Sequence, residues 1–158
     1  MFAVSPRPAL VLSIASESDR LWASGEARRF AAELGFHAED QARIALCVAE
    51  LASNAAKHAG GGRVEIAEVI APARGCRVRV EDHGPGLGAV DEALRDGFSE
   101  GRWLTPDVPL QSRRGLGVGL GAVRRLMSDV RVLSSSNEGL IIEAVLWREP
   151  STPPATRR

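Results

Sequence analysis

Apolar positions along this chain change period several times, and each change marks an element. Residues 9–15 are aliphatic or β-branched almost throughout and give way to Ser16-Glu17-Ser18-Asp19. That pattern predicts a strand followed by helix N-cap candidates. Leu21, Ala27, Phe30, Ala31 and Leu34 then fall near a 3.6 period, with Gly35 as the stop. The strongest helix covers 38–59, where Ile44, Val48, Leu51 and Ala55 draw a continuous apolar stripe. Glu50 and Asn54 lie four apart, about 100° round the helix from that stripe, so they share the border of the buried face. Lys57 and His58 follow one turn later on the same border, and Gly60-Gly61-Gly62 ends the helix.

Two strands are predicted over 63–70 and 76–82. In the latter, Cys76, Val78 and Val80 alternate with Arg77, Arg79 and Glu81, giving one apolar and one charged face. The same alternation assigns Asp82 to the apolar face, where an unpaired carboxylate is costly. Pattern and chemistry conflict there, and such conflicts mark functional positions. A short helix near 90–95, an irregular stretch, a helix through Ala122, Val123, Leu126 and Met127, and strands at 130–134 and 140–147 complete the reading. Short connections between strands predict an α+β sandwich, a mostly antiparallel sheet with its helices on one face.

Composition narrows the function classes. The 158 residues suit one domain, expected over 9–148, with 1–8 a flexible N-terminus and 149–158 a Pro-rich disordered tail. Twenty Lys+Arg balance twenty Asp+Glu, and aromatic residues make up only 4% without a Tyr. No charge excess draws the chain to nucleic acid or an anionic membrane, and no base-stacking surface is in sight. Without a leader or a membrane-length apolar run, the expectation is a cytoplasmic protein. Cys47 and Cys76 form no C-x-x-C and read as small core residues, as Trp22, Trp103 and Trp147 read as core or interface. The three histidines have no metal-ligand spacing. Glycine stands out: 16 residues against about 11 at average usage.

Singly, the glycine runs Gly84-Pro85-Gly86 and Gly115-Leu116-Gly117-Val118-Gly119-Leu120 say little. The longer run has the outline of a dinucleotide fingerprint but lacks the surrounding βαβ unit. Their order is more specific. Glu50-Leu51-Ala52-Ser53-Asn54, then Asp82-His83-Gly84-Pro85-Gly86, then the longer glycine run resemble the N, G1 and G2 boxes of the GHKL (Bergerat fold) ATPase superfamily. Asp40-Gln41-Ala42-Arg43-Ile44, Asp96-Gly97-Phe98-Ser99 and the segment from Gly119 to Met127 make the chain most similar to RsbT-type serine/threonine kinases of bacterial partner-switching pathways.

The resemblance implies roles residue by residue. Asp82 would accept a hydrogen bond from the adenine amino group, and Gly84 and Gly86 would let backbone approach base and ribose. Asn54 would bind Mg²⁺ together with ATP phosphate oxygens. Gly115, Gly117 and Gly119, in one loop with Leu116, Val118 and Leu120, would turn N–H groups on the phosphates. Glu50 would act as general base, with Lys57 and His58 as further phosphate-side candidates and Arg113, Arg114 and Ser99 as weaker ones. The implied activity is ATP-dependent phosphorylation of a STAS-domain antagonist, followed by engagement of a PP2C-type phosphatase or other output protein. An RsbW-type anti-sigma kinase, holding a sigma factor, and a nucleotide-regulated binding module without catalysis are the alternatives. Residues 100–114 exceed the short lid usual in RsbT-like chains, and this insertion is expected to be mobile without nucleotide and to form part of the partner surface.

Overall fold

The computed structural model describes residues 2–86, 98–99, 102–103 and 119–150. The expected helix near 90–95, most of the 100–114 insertion, Arg113, Arg114, the loop residues Gly115, Leu116, Gly117 and Val118, and the tail from 151 lie outside them. In chain order the elements are β1 (Ala3–Val4), β2 (Leu10–Ile14), α1 (Asp19–Glu33), α2 (Ala38–Ala59), β3 (Gly62–Ala71), β4 (Gly75–Asp82), β5 (Phe98–Ser99), β6 (Arg102–Trp103), α3 (Gly119–Leu126), β7 (Asp129–Ser136) and β8 (Gly139–Trp147).

Six strands form one antiparallel sheet in the order β3-β4-β8-β7, with β1 and β2 both paired along the outer side of β3. β5 and β6 make a separate two-stranded ribbon. The helices cover one face. Val64, Ile66, Val78, Val80, Ile142 and Ala144 of the sheet meet Ile44, Val48 and Leu51 of α2, Phe30 of α1 and Val123 of α3 in a single buried cluster. This is the α+β sandwich expected from the alternation of periods. On the opposite face the register aligns Glu65, Arg79, Glu143 and Arg131 across four strands, and Arg77 pairs with Glu65 and Glu143.

The long helix has acidic residues in its first turn and Lys57 and His58 in its last, which complements the helix dipole. It stops because Gly60 turns left-handed at φ 70° and the Gly61 N–H returns to the Ala55 carbonyl. Three details go beyond the reading of the sequence. The N-terminal stretch contributes β1, and Phe2 packs edge-on against Trp147. Of the two readings of Trp22, core or interface, the structure removes the core: the residue is half-exposed on α1. Ser18 makes no side-chain cap. Instead the Asp19 carboxylate accepts the N–H groups of Ala15 and Ser16, which hold its carboxyl below the usual range. Both cysteines are free core residues, and burial pushes the Cys76 thiol up to about 12 and the Cys47 thiol up as well. Among the described residues no helix is long and apolar enough to cross a membrane.

Candidate functional site

The site assembles where the C-terminal half of α2 meets the end of β4 and the start of α3. Gly62 makes the first meeting possible: a Cβ there would lie 3.2 Å from the Ala55 Cβ and 3.3 Å from the Asp82 Cβ, so helix and strand end close over it. Asp82 occupies the buried face of β4 as its alternation requires, only 7% exposed. Its Oδ1 accepts the Gly84 N–H at 2.9 Å, which answers part of the demand for a partner.

Beyond Asp82 the loop lies against the protein itself. A Cβ on Gly84 would meet the Ala59 Cβ at 2.6 Å and the His58 carbonyl at 2.9 Å. Gly86, at φ 73°, would meet the Ser136 carbonyl at 2.4 Å. Both glycines are therefore required by the contact of this loop with α2 and β7, a reason independent of any ligand.

Glu50 is 4% exposed. A buried carboxylate needs compensation, and here the Gly119 N–H at the start of α3 donates to it while Lys57 and Arg20 act on it electrostatically. Burial is the largest influence and holds the carboxyl above the ordinary glutamate range, against those three opposing effects. Asn54 is half-buried one turn later, and among the described residues nothing hydrogen-bonds its side-chain amide. Its carbonyl oxygen is thus available to a ligand. No group of three His, Cys, Asp or Glu suited to a metal occurs among the described residues. A cation here would depend on Asn54 and on oxygens brought by a phosphate ligand, which is the donor set a hard cation such as Mg²⁺ takes.

The structure thus brings Glu50, Asn54, Lys57, Asp82, Gly84, Gly86 and Gly119 into one region. Leu120 is 5% exposed, its side chain committed to the core, and His58 is exposed. Lys57 is not the solvated helix end its position suggests: its side chain is 9% exposed and pairs with Glu17. Glu17 and Arg20, from the turn before α1 and its first residues, escaped the sequence reading. Their one signal was a charged pair three apart at a helix start, too common to single out.

The raised Glu50 carboxyl predicts a pH effect on stability. The native state keeps this proton to higher pH than the unfolded chain, so across that interval stability falls as pH rises. Glu50→Gln removes the dependence. In urea unfolding between about pH 4 and about pH 8, the variant should gain on the wild type as pH rises from the ordinary glutamate value through the raised one. A difference constant with pH would count against the buried carboxylate.

Comparison with known proteins identifies the family. The family profile of the histidine kinase-like ATPase domain matches residues 18–146, from just before α1 into β8. The serine/threonine-protein kinase RsbT of Bacillus subtilis (strain 168) is 36% identical over 135 residues, covering 85% of this chain and 92% of that protein.

Proposed function

The chain belongs to the histidine kinase-like ATPase domain family and is an RsbT-like serine/threonine protein kinase, and from that premise we propose that it uses Mg-ATP to phosphorylate a Ser or Thr of a STAS-domain antagonist and changes partners as a result. The observation that carries the proposal is the buried Glu50 carboxylate, fixed by the Gly119 N–H and one turn from the Asn54 amide, which no described residue engages. A binding module without catalysis has no need of a desolvated carboxylate at that point.

In the proposed mechanism Asp82 receives the adenine amino group. Its Oδ1 is already oriented by the Gly84 N–H, so little reordering is needed on binding. Asn54 would hold Mg²⁺ through its carbonyl oxygen, and the cation when bound would neutralise phosphate charge. Glu50 takes the proton of the acceptor hydroxyl. Its raised carboxyl makes it a stronger base than an exposed glutamate once ionised, and the Gly119 N–H favours that ionised form. Lys57 supplies positive charge on the same helix edge. For the glycine run ahead of α3, outside the described residues, the family resemblance assigns the phosphates as ligand.

The test is transfer of label from γ-labelled ATP to a purified STAS-domain protein by the purified chain with magnesium. Label on a Ser or Thr of that protein is the expected result. Capture of a sigma factor by the same preparation would move the reading to the RsbW type. Nucleotide binding without transfer to any STAS-domain protein would leave a binding module.

A further inference from the structure

Glu17 belongs to none of the ATPase motifs, yet three side chains from the edge of the site converge on its Oε1. Lys57 Nζ stands at 3.5 Å, Ser53 Oγ at 3.5 Å and Arg20 Nη1 at 3.9 Å. The turn that carries Glu17 is locked locally. Besides the two N–H groups held by the Asp19 carboxylate, the Asp19 and Arg20 N–H groups donate to the Ser16 and Glu17 carbonyls at 3.1 and 3.2 Å. The carboxylate is thus presented to α2 from a fixed backbone.

The two partners differ sharply in exposure. The Lys57 side chain is 9% exposed and that of Glu17 52%. A charge on a largely shielded side chain gains from a counter-charge, whereas a half-exposed carboxylate gains little stability from a partner. The pair therefore serves the lysine. The same ammonium and the Arg20 guanidinium also act electrostatically on the Glu50 carboxyl, so both cations serve two carboxylates, the outer Glu17 and the inner Glu50.

We propose that Glu17 is a positioning residue of the nucleotide site: it holds Lys57, with Arg20 beside it, on the Glu50–Asn54 edge of α2 before a triphosphate arrives. The inference rests on the reading of that edge as the phosphate side of an Mg-ATP site. Its physical content is preorganisation. A lysine has four rotatable bonds to its charge, and fixing them in advance removes an ordering cost from ligand binding. The turn between β2 and α1 thereby becomes part of the site.

Calorimetric titration of the full chain with Mg-ATP tests this. Glu17→Gln and Lys57→Met are each expected to weaken binding about tenfold, and the double variant no more than Lys57→Met alone, because both remove one function. Glu17→Asp, which keeps the charge, should recover most of the loss, something a purely structural role would not predict when thermal unfolding of all variants is alike. Wild-type affinity in Glu17→Gln, or losses that multiply in the double variant, would overturn the proposal while leaving the nucleotide reading intact. A wild-type chain that fails to bind Mg-ATP would overturn both.

Discussion

Replacing Glu50 by Gln is expected to slow phosphoryl transfer roughly 10²–10⁴-fold, the usual contribution of a positioned general base, with little change in Mg-ATP affinity. Gln matches Glu in shape, and its carbonyl oxygen can still accept the Gly119 N–H, so the start of α3 stays docked on α2. What is lost is basicity alone. The fold tolerates the change, since it removes a buried charge whose ionisation burial disfavours. Single-turnover transfer of labelled phosphate, read beside calorimetric binding, separates the two quantities. Asn54→Ala provides the contrast: transfer should also collapse, but excess magnesium should restore part of it, because the site has lost its protein ligand for the cation. Glu50→Gln should not respond to magnesium. Wild-type transfer rates in Glu50→Gln would sink the proposed base.

Gly84→Ala is expected to lower both stability, by about 1–3 kcal/mol, and nucleotide affinity. The new methyl would meet the Ala59 Cβ at 2.6 Å, the His58 carbonyl at 2.9 Å and the Ala59 Cα at 3.0 Å. None of these belongs to a flexible side chain. All are fixed by the last turn of α2, whose end is itself pinned by the Gly61 N–H on the Ala55 carbonyl. Relief requires the loop to leave the helix, and the Gly84 N–H that holds Asp82 Oδ1 at 2.9 Å leaves with it. Gly25→Ala is the internal control. It lies within α1 with nothing within 4 Å of the added methyl, so the substitution should stabilise by about 0.5–1 kcal/mol through helix propensity. Urea melts of the two variants should therefore move in opposite directions. A Gly84→Ala chain with wild-type stability and affinity would refute the tight contact.

Much of this architecture was legible beforehand because its signals are local. The stripe of Ile44, Val48, Leu51 and Ala55 and the glycines behind it predicted α2 over 38–59, the bounds it has. The alternation from Cys76 to Asp82 put a carboxylate on a buried face, and Asp82 is there. Other features had no local signal. β1 is two residues long and exists only because β3 extends far enough to pair with it. Trp22 looks like a core residue by type, but its position on α1 turns it outward. The glycines of the Asp82 loop suggested close approach of a nucleotide, and the structure supplies a nearer reason in the atoms of α2 and β7.

The sequence by itself determined the alternation of strands and helices, the face on which Glu50, Asn54 and Asp82 lie, and the order of three motifs that resembles one ATPase family. Periodicity and short motifs encode these because they depend on neighbours within a turn or a strand. Only the tertiary structure decided that Glu17 captures Lys57 across forty positions of chain, that the Gly119 N–H serves Glu50, and that the Lys57 side chain is largely shielded from solvent. Those facts depend on how α1, α2 and α3 pack, and the cost of an unpaired buried charge then selects the partners that packing brings within reach.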